Sequence, residues 1–203
     1  MLGRICGTAI ALALFSAPAL SQAIEHAYSR FDSKTCRHTK GKNVEDYGSW
    51  LCAGYAGLHV QLSAVDQRMT VAFGPTKKTD LAQSQTLPGF NDIYEGTVEW
   101  RIEKSADRKL RPFATILRWN VMTPQDRDKA TGPTKATGRV LVVTRLGPGG
   151  SCHVGYVDAR ANPDGNELAR KLADEHARTF TCGKDKRIVV GIKGAVDMPS
   201  DED

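Results

Sequence analysis

The chain contains no C-x-x-C or other short cysteine pair, no G-x-S-x-G turn, no glycine loop ending in Lys-Ser or Lys-Thr, and no internal repeat. Each absence removes a class of function. Without closely spaced cysteines a structural zinc site has no framework, and His59 with His153 lacks a third ligand, so no metal is expected. Without the strained elbow, a serine hydrolase loses the turn that lifts its nucleophile. Gly147-Pro148-Gly149-Gly150 carries no Lys or Ser/Thr and opens no helix, so it does not cradle phosphates as a P-loop does, and no cofactor is expected. No basic stripe interleaved with aromatics marks a nucleic-acid surface. The longest apolar run, residues 5–15, is shorter than the ~20 residues a membrane span needs.

That run is read as the apolar part of an export signal. Arg4 precedes it, Pro18 breaks it, and Ser21-Gln22-Ala23 is a small-x-Ala cleavage site. The expected organisation is a signal peptide at 1–23, a single α+β domain at 24–196 and an acidic disordered tail at 197–203, in a periplasmic or secreted protein with no transmembrane segment after cleavage. Cys6 leaves with the leader and four cysteines remain. In an exported chain an even count reads as two disulfides, and proximity favours Cys36 with Cys52 and Cys152 with Cys182 among the three possible pairings.

Charge is unevenly distributed. The tail is acidic, and residues 24–196 hold 27 Lys and Arg against 19 Asp and Glu. Such a basic body is either a soluble surface or one drawn to an anionic envelope polymer or an acidic envelope protein.

The chain is centred on residues 138–183. Residues 138–146 form a β-branched, aliphatic strand, the glycine–proline turn breaks it, and 151–158 form its hairpin mate. Strict alternation sends Cys152, Val154 and Tyr156 to one face, and His153, Gly155 and Val157 to the other. A helix is expected to start with Asn162 as cap and Pro163 at its first position and to run to Phe180. Its apolar face is Leu168, Leu172, Ala173, His176, Ala177 and Phe180.

Before that stretch, 24–57 reads as a compact loop-rich piece, 58–64 and 68–73 as a hairpin, and 75–91 and 122–137 as long polar loops. Residues 96–103 alternate, with Val98, Trp100 and Ile102 inward and Thr97, Glu99, Arg101 and Glu103 toward water, and 112–121 supply the mate. A last strand is expected within 187–193. The fold class is therefore α+β: a curved or sandwich-like antiparallel β-sheet with one C-terminal amphipathic helix packed on it and two disulfides.

Two constellations can be tested for chemistry. Ser151, His153 and Asp158, with His176 as spare base, fail because Asp158 points away from the other two on a regular strand. Glu99 and Glu103 lie about 13 Å apart along a strand, too far for a glycosidase pair. Tyr47, Trp50 and Tyr55, set among glycines beside Cys52, are either core around a disulfide or an exposed binding surface.

Together Trp50-Leu-Cys-Ala-Gly-Tyr55, Gly96-Thr-Val-Glu-Trp-Arg101, Pro112-Phe-Ala-Thr-Ile-Leu-Arg-Trp119 and Ser151-Cys-His-Val-Gly-Tyr-Val-Asp158 resemble a family of small exported proteobacterial proteins of unknown function. The resemblance spans most of the mature chain and implies export and single-domain character, with no activity to carry across. The expectation is a non-catalytic binding or interaction module of the cell envelope, such as an inhibitor of or accessory to an envelope hydrolase. The alternative is a hydrolase whose site assembles from distant loops around His153 and His176.

Overall fold

The computed structural model describes residues 23–75, 80–104, 109–129, 135–148 and 150–199. The expected leader, the last residues of the acidic tail and parts of the two long polar loops lie outside them.

The described chain is mostly antiparallel β-structure. Its strands are β1 (Glu25–Asp32), β2 (Arg37–Thr39), β3 (Asp46–Ala53), β4 (His59–Val65), β5 (Arg68–Gly74), β6 (Asn91–Asp92), β7 (Glu95–Lys104), β8 (Leu110–Val121), β9 (Gly138–Arg145), β10 (Cys152–Asp158) and β11 (Ile188–Val190). Helices α1 (Pro124–Asp128) and α2 (Gly165–His176) complete it. Seven strands make a sheet of order β1-β7-β8-β9-β10-β11, with β6 added to β8, and the other four make a second sheet of order β2-β3-β4-β5. Val60, Leu62, Val71 and Phe73 of the small sheet share one apolar cluster with Val98, Trp100, Trp119, Val142 and Tyr156 of the large one. On the opposite face of the large sheet, Ala169, Leu172 and Ala173 of α2 pack on Ile116, Leu141, Val143 and Val157.

Local chemistry accounts for the best-defined joints. Asp66 and Gln67 both have positive φ, 47° and 59°, and link β4 to β5 as the two-residue turn whose twist suits a hairpin. Thr123 caps α1, Pro124 takes its first turn, and the Asp126 carboxylate accepts the Thr123 N–H while the Asp126 N–H donates to the Thr123 hydroxyl. Both disulfides pair as proximity suggests, Cys36 with Cys52 and Cys152 with Cys182. They fit an oxidising compartment.

Several expectations are corrected. Residues 24–57 are not loop-rich: β1 covers the edge of the large sheet by pairing with β7 along its whole length, using backbone bonds where its side chains are polar. The helix is not C-terminal, since α2 is followed by β11, which pairs in parallel with β10. Asn162 does not cap α2. Its side-chain amide donates to the Asp158 and Ile192 carbonyls and its oxygen accepts the Ile192 N–H, so it ties the start of α2 to the chain beyond β11. His176 is not on the buried face, its side chain being 47 % exposed.

The alternation along β10 also fails. His153 pairs with Thr144 but Gly155 with Val143, leaving Val154 as an extra residue in a β-bulge. The bulge turns Tyr156 onto the same face as His153, while Cys152, Val154 and Val157 join the α2 side. Gly155 is required there, because a side chain would meet the Ile188 carbonyl of β11.

The outward face of β7 is the largest departure. Glu99 and Arg101 are only 7 % and 6 % exposed, because α2 and β1 cover the face that alternation assigns to water.

Candidate functional site

The sequence candidates Tyr47 and Trp50 come together, joined by two residues that sequence reasoning did not select, His38 and Tyr94. His38 pairs with Trp50 across β2 and β3, and their rings stack at 4.7 Å. Tyr94, just before β7, meets Trp50 edge to face at 5.4 Å. The His38 ring is 3.2 Å from the Tyr47 carbonyl at its Nε2, which fixes Nε2 as the protonated donor in that contact. Burial pushes the Tyr94 phenol up, and the neighbouring Tyr47 and Asp92 push it the same way.

This cluster is neither all core nor all surface. Trp50 is half-buried against the cluster between the sheets, whereas Tyr47 and Tyr94 are 47 % and 40 % exposed. Gly48 has φ 103° and lies against the Thr39 carbonyl, so the bulge that turns Tyr47 outward depends on a glycine. Exposed Lys40 and Lys42 flank it on the link between β2 and β3. Tyr55 stands apart, its ring tilted against Trp100 at 6.2 Å.

The residues tested for catalysis scatter. Ser151 lines a small apolar cleft with Asp80, whose carboxylate accepts the Ser151 N–H at 2.9 Å. Asp158 caps the turn after β10 by accepting from the Arg160 and Ala161 N–H groups. His153 is fully buried, its Nδ1 3.0 Å from the Tyr156 hydroxyl. Arg187 also bonds that hydroxyl. A guanidinium only donates, so the phenol oxygen accepts from Arg187. The buried His153 imidazole is neutral. Burial, with help from the Arg187 charge, pushes it down to about 3. Burial likewise pushes Tyr156 up to about 12, against the opposing pull of Arg187.

The Glu99 carboxylate is held by arginines. Arg101 reaches Oε1 at 3.0 Å, Arg170 spans both oxygens at 2.9 to 3.2 Å, and the Tyr28 hydroxyl adds a contact at 3.4 Å. Arg101 forms a fork on Asp174 of α2 at 2.9 and 2.7 Å. Burial lowers the Arg101 pKa, but Asp174 and Glu99 together outweigh it and hold the guanidinium charged. This network clamps α2 to β7. Glu103, set apart from Glu99 along the strand, lies 3.8 Å from Arg178.

Among the described residues no group of three His, Cys, Asp or Glu side chains is placed to hold a metal ion, and no helix is long and apolar enough to cross a membrane. Tyr94 and His38 had little sequence signal, since one follows a polar loop and the other sits in a basic run. The register of β2 on β3 brings His38 to Trp50, and Tyr94 reaches it from the segment before β7. In comparisons with known proteins, no protein family, curated protein or solved structure matches this chain.

Proposed function

We propose that the protein is a non-catalytic binding module of the cell envelope that engages an anionic glycan polymer through Tyr47, Trp50, Tyr94 and His38. The observation that carries this reading is a contiguous aromatic surface whose outer members are about half exposed while its inner member is anchored in the core. Flat rings with polar tips offer stacking faces to sugars, and Lys40 and Lys42 offer charge to carboxylates. The Cys36–Cys52 disulfide and a fixed β2–β3 register keep the surface pre-organised, which limits the ordering cost of binding. The hydrolase reading around His153 and His176 has no comparable support, because one imidazole is sealed in the core and the other lies on the outer side of α2.

The test is co-sedimentation of the oxidised protein with insoluble anionic cell-wall glycan, and with a neutral glycan as control. Tyr47→Ala/Tyr94→Ala removes exposed rings and leaves the Trp50 anchor, and near-ultraviolet circular dichroism checks the fold. Retention of the native protein should fall about tenfold in the variant, the scale set by two interface tyrosines. Equal retention of both proteins, or none of either, removes this reading.

A further inference from the structure

The second disulfide borders a groove that shares no residue with the aromatic surface. It has a volume of about 850 Å³ and is lined by Arg68, Gln85, Thr86, Lys184, Lys186 and Arg187, among others. Four cations and one acid, Asp185, line it; Arg68 is itself paired with Asp66 at 3.4 Å, and the Asp185 carboxylate accepts the Thr181 N–H at 2.7 Å as the brace of its own turn. We propose that this groove binds a phosphate group, carried by a small phosphate ester or by a phospholipid headgroup.

Both walls are built rather than merely charged. On one side Gln85 accepts the His153 N–H through Oε1 at 2.7 Å, the Thr86 hydroxyl donates to the Met69 carbonyl at 2.8 Å, and the Arg68 guanidinium reaches the Pro88 carbonyl at 3.4 Å. The 80–91 loop is thus fastened to both sheets. On the other side Cys182 is bonded to Cys152, Lys184 and Asp185 donate their N–H groups to the Thr181 carbonyl, and β11 follows at Ile188. The basic segment is therefore pinned at both ends.

Phosphate chemistry follows from the donor set. A dianion matches a groove with an excess of positive charge, and ammonium and guanidinium groups both donate to phosphate oxygens. The cavity falls within the roughly 300–1,000 Å³ range of small-molecule sites. The positive field extends inward, since the Arg187 charge lowers the pKa of both His153 and Tyr156.

The test uses glycerol 3-phosphate and pyrophosphate as soluble probes, titrated calorimetrically at constant ionic strength, and vesicles with and without phosphatidic acid in a neutral lipid. Three proteins are compared: native, Lys184→Glu/Lys186→Glu in the groove, and Lys40→Glu/Lys42→Glu on the aromatic face, which has the same change in net charge. Saturable binding of one probe per chain should weaken at least about tenfold in the groove variant and less than about twofold in the other. Soluble-ester binding without vesicle binding assigns a free phosphate ester. Vesicle binding that glycerol 3-phosphate competes away assigns a headgroup. Absence of saturable binding, or equal weakening in both variants, overturns the proposal in favour of general charge attraction.

Discussion

Lowering the pH should destabilise the protein through His153. The imidazole is fully buried, its Nδ1 is committed to Tyr156, and protonation would place a cation in the core near Arg187. Its pKa is pushed down to about 3 in the fold, against about 6.5 in the unfolded chain. Between those values the unfolded state holds a proton that the native state refuses, so stability rises with pH through the window and is complete above about 6.5. Below that, each unit of pH removes about 1.4 kcal/mol, giving a loss of about 2 kcal/mol at about pH 5. The assay is urea unfolding, followed by tryptophan fluorescence, from about pH 7.5 to about pH 5. His153→Asn is the comparison, because its side-chain amide can both donate and accept and so can pair with the Tyr156 hydroxyl near the place of Nδ1. The variant is less stable at neutral pH but lacks this slope, so its deficit should shrink by about 2 kcal/mol on acidification. A constant gap between the two profiles refutes the reasoning. So does a His153 resonance in the native protein that titrates above about pH 6.

Three further outcomes are expected. Glu99→Gln leaves Arg101 and Arg170 without their shared carboxylate and should cost about 3 kcal/mol in chemical denaturation, whereas Arg127→Ala at the exposed Asp197 pair should cost less than about 1 kcal/mol. Burial raises the Asp126 pKa, but donors from Thr123 and Thr137 outweigh it and bring it to about 2, so its stabilisation is present above about pH 4 and lost as pH falls through about 2. The native protein should therefore exceed Asp126→Asn by about 2 kcal/mol at neutral pH, a gap that closes in acid titration. Gly155→Ala meets the Ile188 carbonyl and should destabilise by about 1–3 kcal/mol, with β11 amides losing protection in hydrogen exchange.

What the sequence showed and hid follows from the range of the interactions. The hairpins β4–β5, β7–β8 and β9–β10 were legible because alternation and turn residues act over a few positions. The disulfides were legible because proximity left little choice. The bulge at Val154 was not, since one extra residue leaves no mark on composition yet reverses the face of everything beyond it.

The misreading of β7 has a sharper cause. Alternation assigns charged residues to water, and a strand covered on both faces breaks that assignment whenever the second cover is itself charged. Glu99 and Arg101 lie under α2 because Arg170 and Asp174 come down to meet them from a helix more than sixty residues later, and neither strand nor helix carries the pairing in its own pattern. The same separation governs both candidate sites. Tyr94 reaches Trp50 only through the packing of the two sheets, and Arg68 faces Lys184 only because the 80–91 loop and the chain after Cys182 converge beside β10. Each site therefore depends on a joint between distant segments, so a change that loosens the joint should reduce binding even where every binding side chain remains.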